Sequence, residues 1–535
     1  HLLDKMNSLY KHSIRDNRVR EYLPPVRVLL SENTEHPENL LGENGIQVYL
    51  YHFNASQRAT TLQPGGMVLL DYGVELAGGI RVNVSGEGGK IRIRFGESVS
   101  EALNTPNQDH AIHDAELQLP RIGMLEYGNT GFRFISIVNT GSEALTLFSV
   151  YAVALYRNLE LAGSFQCSDE RLNKIWDTAV YTLQLCMQDY IYDGIKRDRL
   201  LWMGDMHPEV RGILAAFNDT SLVEKSLDFM VKTTNPNRGM NDCWSYSMWY
   251  LICLRDYFFA TGNYSFLESQ REAVFNIMEH LEQFIGDDGS EQIPETRFLD
   301  WPTRDNEVAT HAGLQGLMLW AFRALEDLMK YYDLPSARTI EAQQKLRRHC
   351  PPCGGSKSAA ALQTISGLCD RTEIIENDPF HGISTFMGFC ILLAKNTVPA
   401  LELIRKYWGA MLDFGATTFW EDFDLDWIKN AARIDELPVP GKDDLHADFG
   451  AWCYKGLRHS LCHGWSCGPM PFMSERILGI EFLEPGGKKI RFAPDAGGLD
   501  YVKGAYPTAY GKVAVEMKSA GKWEISAPSE IDIVE

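Results

Sequence analysis

Between residues 193 and 205 the chain reads Asp-Gly-Ile-Lys-Arg-Asp-Arg-Leu-Leu-Trp-Met-Gly-Asp. This sets Asp193, Asp198 and Asp205 among Lys196, Arg197 and Arg199, with Trp202 and Gly204 alongside. Carboxylates crowded together, or buried beside an aromatic, retain a proton near neutral pH. Such a proton is what a glycosidase delivers to a leaving oxygen, and an indole face suits the apolar side of a pyranose ring. The plainer reading of a charge run is a solvated, salt-bridged helix start. The Trp-Met-Gly-Asp ending counts against it, because a glycine beside Trp and Asp implies close backbone packing at a pocket.

Three further segments carry residues of the same kind. In Phe414-Gly415-Ala416-Thr417-Thr418-Phe419-Trp420-Glu421-Asp422-Phe423 a glutamate follows a tryptophan inside an apolar run. Desolvation there raises the basicity of Glu421, although on spacing alone an exposed glutamate at a helix start fits equally well. In Arg297-Phe298-Leu299-Asp300-Trp301-Pro302 the Asp300 carboxylate suits sugar hydroxyls, while a helix cap is the commoner use of such an aspartate. Leu461-Cys462-His463-Gly464-Trp465-Ser466-Cys467 offers His463 as a substrate contact, or as a hydrogen-bonded core histidine.

Other chemistries find no motif. The chain has no Gly-x-Ser-x-Gly elbow, Walker loop, Rossmann glycine fingerprint after a strand, or His-Glu-x-x-His. Cys350-Pro-Pro-Cys353, with His349 before and Cys369 after, lacks the second close pair that a zinc site wants and reads as a loop with incidental or disulfide-linked cysteines. The 11 cysteines are scattered and odd in number, unlike a disulfide framework. The formal charge of -20 argues against nucleic-acid or anionic-membrane partners, and no apolar run is long enough for a transmembrane helix. A start at His1 rather than Met fits a processed or partial product. That means the periplasm or the exterior if a leader was removed, and the cytoplasm otherwise.

The elements that must position these residues follow from length and pattern. A chain of 535 residues exceeds one ordinary core and calls for several domains. Runs at 68–73, 78–84, 90–95 and 145–153, separated by Gly-rich turns, read as strands of a β-sandwich, the third as a half-exposed strand. Residues 99–120 read as a long loop. Near Ser168 the texture changes to helical, with a start at Ser168-Asp169-Glu170-Arg171-Leu172 and stretches at 172–190, 249–261, 271–284, 310–332 and 383–394. An all-α region of this size buries its amphipathic faces best as a closed ring of helix pairs, with loops gathered at one end to form a pocket. Strands return at 489–492, 512–517 and 523–526 as a small C-terminal β domain.

At its four chemical segments the chain resembles the α-L-rhamnosidases of glycoside hydrolase family 78. The family's acid motif reads approximately Asp-Cys-Pro-Gln-Arg-Glu-Arg-Leu-Gly-Trp-Thr-Gly-Asp. Laid on this sequence without gaps, it matches at Asp193, Arg197, Arg199, Leu200, Trp202, Gly204 and Asp205. The general acid, a Glu in the family, falls on Asp198, and Gly194-Ile195-Lys196 replaces Cys-Pro-Gln. The base segment, Thr-Thr-Ile-Trp-Glu-Arg-Trp, matches Thr417-Thr418-Phe419-Trp420-Glu421, and the segment Asn-His-Tyr-Ala-Phe-Gly places a substrate-site histidine on His463. Gly479-Ile480 matches that segment's end. Leu70-Asp71-Tyr72-Gly73-Val74-Glu75, Gly78-Gly79 and Phe95-Gly96-Glu97 resemble the family's N-terminal β-sandwich, and Tyr510-Gly511-Lys512-Val513 its C-terminal one.

The resemblance implies a multidomain chain: an N-terminal β-sandwich domain over 1–157, an (α/α)6-barrel catalytic domain over 158–475 and a small C-terminal β-sandwich domain over 476–535. It implies inverting hydrolysis of terminal α-L-rhamnosides with Asp198 as acid and Glu421 as base, roughly 6.5–9.5 Å apart to admit a water. Asp193, Arg197, Asp205 and Asp300 would bind ring hydroxyls together with His463. Trp202, Trp301 and Trp420 would cover the apolar edge and methyl group of the 6-deoxy sugar. No metal or cofactor is required, and the partner is a rhamnose-containing glycan or glycoside. Aspartate at position 198 keeps open a family member acting on a different sugar. A non-catalytic carbohydrate-binding relative is a further alternative. A polysaccharide lyase on a similar barrel would want a Tyr or His base and a basic cleft.

Overall fold

The computed structural model describes residues 2–9, 11, 14–42, 59–85, 88–105 and 113–535. The apolar alternation of the N-terminal part builds seven strands: β1 (Val19–Leu23), β2 (Arg27–Glu35), β3 (Thr60–Ser85), β4 (Gly89–Gly96), β5 (Asp114–Leu119), β6 (Gly123–Asn139) and β7 (Leu145–Tyr156). They hydrogen-bond in the order β1-β7-β3-β6-β4-β5, with β2 on β3, and every pairing is antiparallel. The apolar runs at 68–73 and 78–84 belong to one strand, β3. Its first run pairs with β2 and its second with β7. Val82, Ile93, Phe95, Ile135 and Val150 meet in its core, each such buried side chain contributing roughly 1.5–3 kcal/mol.

Two expectations need correction. Residues 99–120 are not one long loop: Val99–Leu103 is a helix capped by Ser98, and Asp114–Leu119 is β5. Residues 106–112 lie outside the described residues. Strand β4 is only partly half-exposed. Arg94 is buried with the apolar face, because Asp114 accepts from it at 2.9 Å and the Glu101 carbonyl at 2.5 Å.

Helices dominate from Glu170 onward. Asp169 caps the first, Glu170–Cys186, by accepting from the Arg171 and Leu172 amides. Trp244–Thr261 starts five residues earlier than the periodicity indicates, because it is buried on nearly all sides and carries no polar face. Glu307–Tyr331 packs against Lys357–Ile365 so closely that a Cβ at Gly316 would lie 2.7 Å from the Leu362 carbonyl carbon. The stretch 383–394 forms a helix only over Gly388–Leu393, since Ser384 holds the preceding residues in a turn. Cys350 is bonded to Cys369, and Cys353 is free.

Beyond the helices, Ile480–Phe482, Lys489–Phe492 and Asp532–Val534 form a three-stranded sheet. A four-stranded sheet combines Val502–Thr508, Gly511–Ser519 and Lys522–Ser526 with β8 (Ser164–Cys167) from far up the chain. Among the described residues no helix is long and apolar enough to cross a membrane.

Candidate active site

Three extended segments lie side by side and bring the separated motifs together. Ser460–Gly464 runs in the middle. On one flank Gly464 donates to the Asp193 carbonyl at 2.8 Å, and Gly194 bridges to His463. On the other, His463 donates to the Phe419 carbonyl at 3.0 Å, and Glu421 donates to the Ser460 carbonyl at 2.9 Å. Residues that are more than two hundred positions apart in the chain thus share a wall.

That wall closes a cavity of about 250 Å³, lined by Asp193, Arg197, Asp198, Trp202, Asp205, Trp301, Glu421 and His463. Eight of the ten residues singled out in the sequence therefore meet in one cavity. Trp420 and Asp300 do not line it. In an extended segment successive side chains alternate, so with Glu421 facing the cavity Trp420 faces the core, where it packs edge-on to Phe423. Asp300 is buried and caps a turn, accepting from the Thr303 amide at 3.0 Å and from its hydroxyl at 2.5 Å.

The charged groups differ sharply in environment. Glu421 is buried and accepts from Arg197 Nη2 at 2.6 Å and from the Ser460 amide at 3.1 Å. Arg197 Nε donates to the Arg458 carbonyl at 2.7 Å, fixing the guanidinium, and Nη1 lies 3.6 Å from Asp198. One planar guanidinium therefore touches both carboxylates. Asp198 is the most open of the four acids, its side chain 35% exposed. Asp198 and Arg199 both adopt left-handed backbone conformations, φ 53° and 52°, which cost energy for residues other than glycine.

Asp193 and Asp205 sit behind them with His463. Burial pushes the Asp193 carboxyl up to about 8, against the opposing pull of His463. Burial likewise raises Asp205. Burial works against a charged His463, but Glu421, Asp205 and Asp193 outweigh it and push the imidazole up to about 9. His463 Nε2 therefore carries a proton to Asp205 at 3.2 Å. These three residues offer donor atoms within 4.8 Å of one another, a spacing at which they also present hydrogen-bond donors and acceptors to neighbouring sugar hydroxyls.

Glycines permit the close approaches. A Cβ at Gly204 would lie 2.5 Å from the Tyr246 ring, which lines the cavity, and one at Gly464 would lie 1.6 Å from a carboxylate oxygen of buried Glu209. The sequence reading missed Asn241, Asp242, Tyr246, Phe298 and Trp465 on the cavity wall. Trp465 donates to the Glu421 carbonyl at 2.8 Å and stands two residues from His463, a signal that was available. Tyr246 lies within an apolar helix and announces nothing.

The site is also tied to the N-terminal sheet. Lys196, buried, reaches Glu101 at 2.8 Å and Glu97 at 3.3 Å, and donates to the carbonyls of Leu457 and His459 at 2.5 and 2.7 Å. These contacts hold the residue immediately before Arg197.

Residues 160–315 match the family model of the bacterial α-L-rhamnosidase six-hairpin glycosidase domain. An α-L-rhamnosidase of Formosa agariphila is 24% identical over 196 residues, covering 33% of this chain and 20% of that protein. The fold is similar to that of the family 78 rhamnosidase of Bacillus sp. GL1, with a TM-score of 0.71 at 21% identity over 93% of this chain and 55% of that one. It is also similar to that of a Klebsiella oxytoca rhamnosidase with rhamnose bound, with a TM-score of 0.69 at 20% identity over 86% of this chain and 96% of that one. The chain spans a fifth of the length of the Formosa relative and about half that of the Bacillus one.

Proposed function

We propose that this chain, which belongs to the α-L-rhamnosidase family, glycoside hydrolase family 78, hydrolyses terminal α-L-rhamnosides with inversion. The observation that carries the reading is the pairing of Asp198 and Glu421 on one cavity through a single guanidinium. In this reading Asp198 gives its proton to the glycosidic oxygen, and Glu421 takes a proton from a water on the opposite face of the ring. The oxocarbenium-like transition state collects positive charge beside the buried Glu421 carboxylate. Arg197 holds both carboxylates in register. Asp193, Asp205 and His463 receive ring hydroxyls, and Trp202 and Trp301 cover the apolar edge, with Trp465 rather than Trp420 as the third indole. Asp300 acts from outside the cavity, by fixing the turn that presents Trp301. The units read as 1–157, a β-sandwich; 158–475, a closed (α/α)6 barrel; and 476–535, a β-sandwich that borrows β8. The substrate is a rhamnose-bearing glycan or glycoside.

One observation favours a second assignment of the acid. Asp193 lines the same cavity and holds its proton to about pH 8 by burial, whereas Asp198 is open to solvent. Leaving-group dependence separates the two. If Asp198 is the acid, Asp198→Asn loses about 10²–10⁴-fold in kcat on a disaccharide but little on a dinitrophenyl α-L-rhamnoside, whose leaving group needs no proton. If Asp193→Asn shows that pattern instead, the acid is Asp193. Glu421→Gln loses activity on both substrates while still binding rhamnose. NMR of the first-formed product should show the inverted anomer; retention would refute the water-activating role of Glu421.

A further inference from the structure

A second cavity, of about 290 Å³, adjoins the sugar cavity at Asp198, the one described residue that lines both. Its walls come from two parts of the fold. Ala77 of β3, Asn129 and Thr130 of β6, and Arg18 just before β1 form one side. Gln188, Asp189 and Tyr192, from the loop after the first long helix, form the other, with Arg199 at the rim. The walls are fixed to each other. Arg18 donates to Gln188 at 3.1 Å, Gln188 donates to the Leu155 and Leu185 carbonyls at 3.2 and 2.7 Å, and Arg199 donates to the Asn129 carbonyl.

A general acid protonates the oxygen between the sugar being attacked and the group being expelled. A carboxyl that borders two cavities therefore marks that oxygen's place. The cavity containing Glu421 takes the attacked sugar, and the other must take the leaving group. We propose that this second cavity is the leaving-group subsite, that its occupant is one neutral sugar residue, and that the N-terminal sheet helps to select it. This rests on the glycosidase reading with Asp198 as acid.

The chemistry of the walls sets the class of ligand. Guanidinium, amide, carboxylate and hydroxyl groups dominate, with Tyr192 the single aromatic ring and Ala77 and Ile195 the apolar contacts. An aromatic aglycone prefers stacking faces, whereas a sugar ring offers hydroxyls that both donate and accept. Arg18 and Arg199 are balanced by Asp189 and Asp198, so no net charge asks for an acidic sugar. The volume is close to that of the cavity meant for one monosaccharide, so one residue fits.

The test compares two substrates in the full chain: a rhamnosyl-glucose disaccharide, and α-L-rhamnosyl fluoride, whose leaving group places no sugar in the second cavity. Arg18→Ala and Tyr192→Ala each remove one wall side chain, and thermal melts confirm that each variant is folded. We expect the ratio of kcat/KM for the disaccharide to that for the fluoride to fall about tenfold in each folded variant, with the loss mainly in the disaccharide value. An unchanged ratio in the folded variants, with the unaltered chain active on the fluoride, overturns the subsite alone. So does a tenfold preference of the unaltered chain for benzyl α-L-rhamnoside over the disaccharide, since both leaving groups are alcohols and only the first carries an aromatic ring. Failure of the unaltered chain to cleave either substrate overturns the glycosidase reading and the subsite with it.

Discussion

The residues of the cavity divide by burial rather than by type. Asp193, Asp205 and Glu421 are nearly inaccessible, while Asp198 faces solvent. Burial has a consequence for pH. As pH rises through about 8 Asp193 loses its proton, and near 9 His463 loses its charge. Each change removes a hydrogen-bond donor from the groups that receive the ring hydroxyls in the proposed reading. With Asp198 as acid, kcat/KM should therefore decline above about pH 8. Asparagine mimics the protonated Asp193, so Asp193→Asn should shift that alkaline limb toward the His463 transition near 9. A pH–rate profile in which the limb stays at its original position would remove Asp193 as its source. The motifs were legible as residues, because Asp-x-x-x-Arg-Asp-Arg and Trp-Glu are local patterns. The His463–Asp205 ion pair was not, since it joins positions 258 apart in the chain and nothing local to either residue encodes the other.

At the scale of elements, the central device is the set of three extended segments, and Gly464 is its tightest point. Its amide holds the Asp193 carbonyl, and its missing side chain admits Glu209 from the helix Met206–Ala216. Gly464→Ala must displace the buried Glu209 side chain, its helix or the strand-like segment. Overpacking of this kind costs about 1–3 kcal/mol. A lowered urea midpoint together with reduced kcat is the expected outcome, and unchanged stability would mean that Glu209 swings aside freely. Helices with clear periodicity were legible, with Arg271–Gln283 found within one residue. Trp244–Thr261 was truncated in the reading, because an all-round apolar helix gives no polar face to mark its start. Residues 99–120 show no helical periodicity because the helix is only five residues long; Ser98-x-x-Glu101 is a local capping signal, whereas the burial of Glu101 against Lys196 is a tertiary fact. The alternation that turns Trp301 and Glu421 toward the cavity and Trp420 and the Asp300 carboxyl away from it needs the backbone path, which composition does not supply.

Across the whole molecule, the N-terminal sheet and the helical region meet at buried charges. Lys196 lies between Glu97 and Glu101, with the Leu457 and His459 carbonyls completing its donors. Removing one partner of a buried ion pair costs about 3–5 kcal/mol, because the other charge is left uncompensated. Lys196→Met should therefore lower unfolding stability by about that amount and loosen Arg197, reducing kcat on every rhamnoside alike. A fully stable, fully active variant would show that the sheet plays no part in holding the loop. The passage from strands to helices was legible from the change in texture near Ser168. The crossing of β8 into the C-terminal sheet was not, because a four-residue strand has no periodicity to read. Lys196 also bears on how such a chain can diversify. A recombination event that exchanged the sheet for a foreign one lacking carboxylates at positions 97 and 101 would strand a cation one residue from the reaction centre. The sheet and the loop thus constrain one another, and a change at Glu97 or Glu101 calls for a compensating change at Lys196.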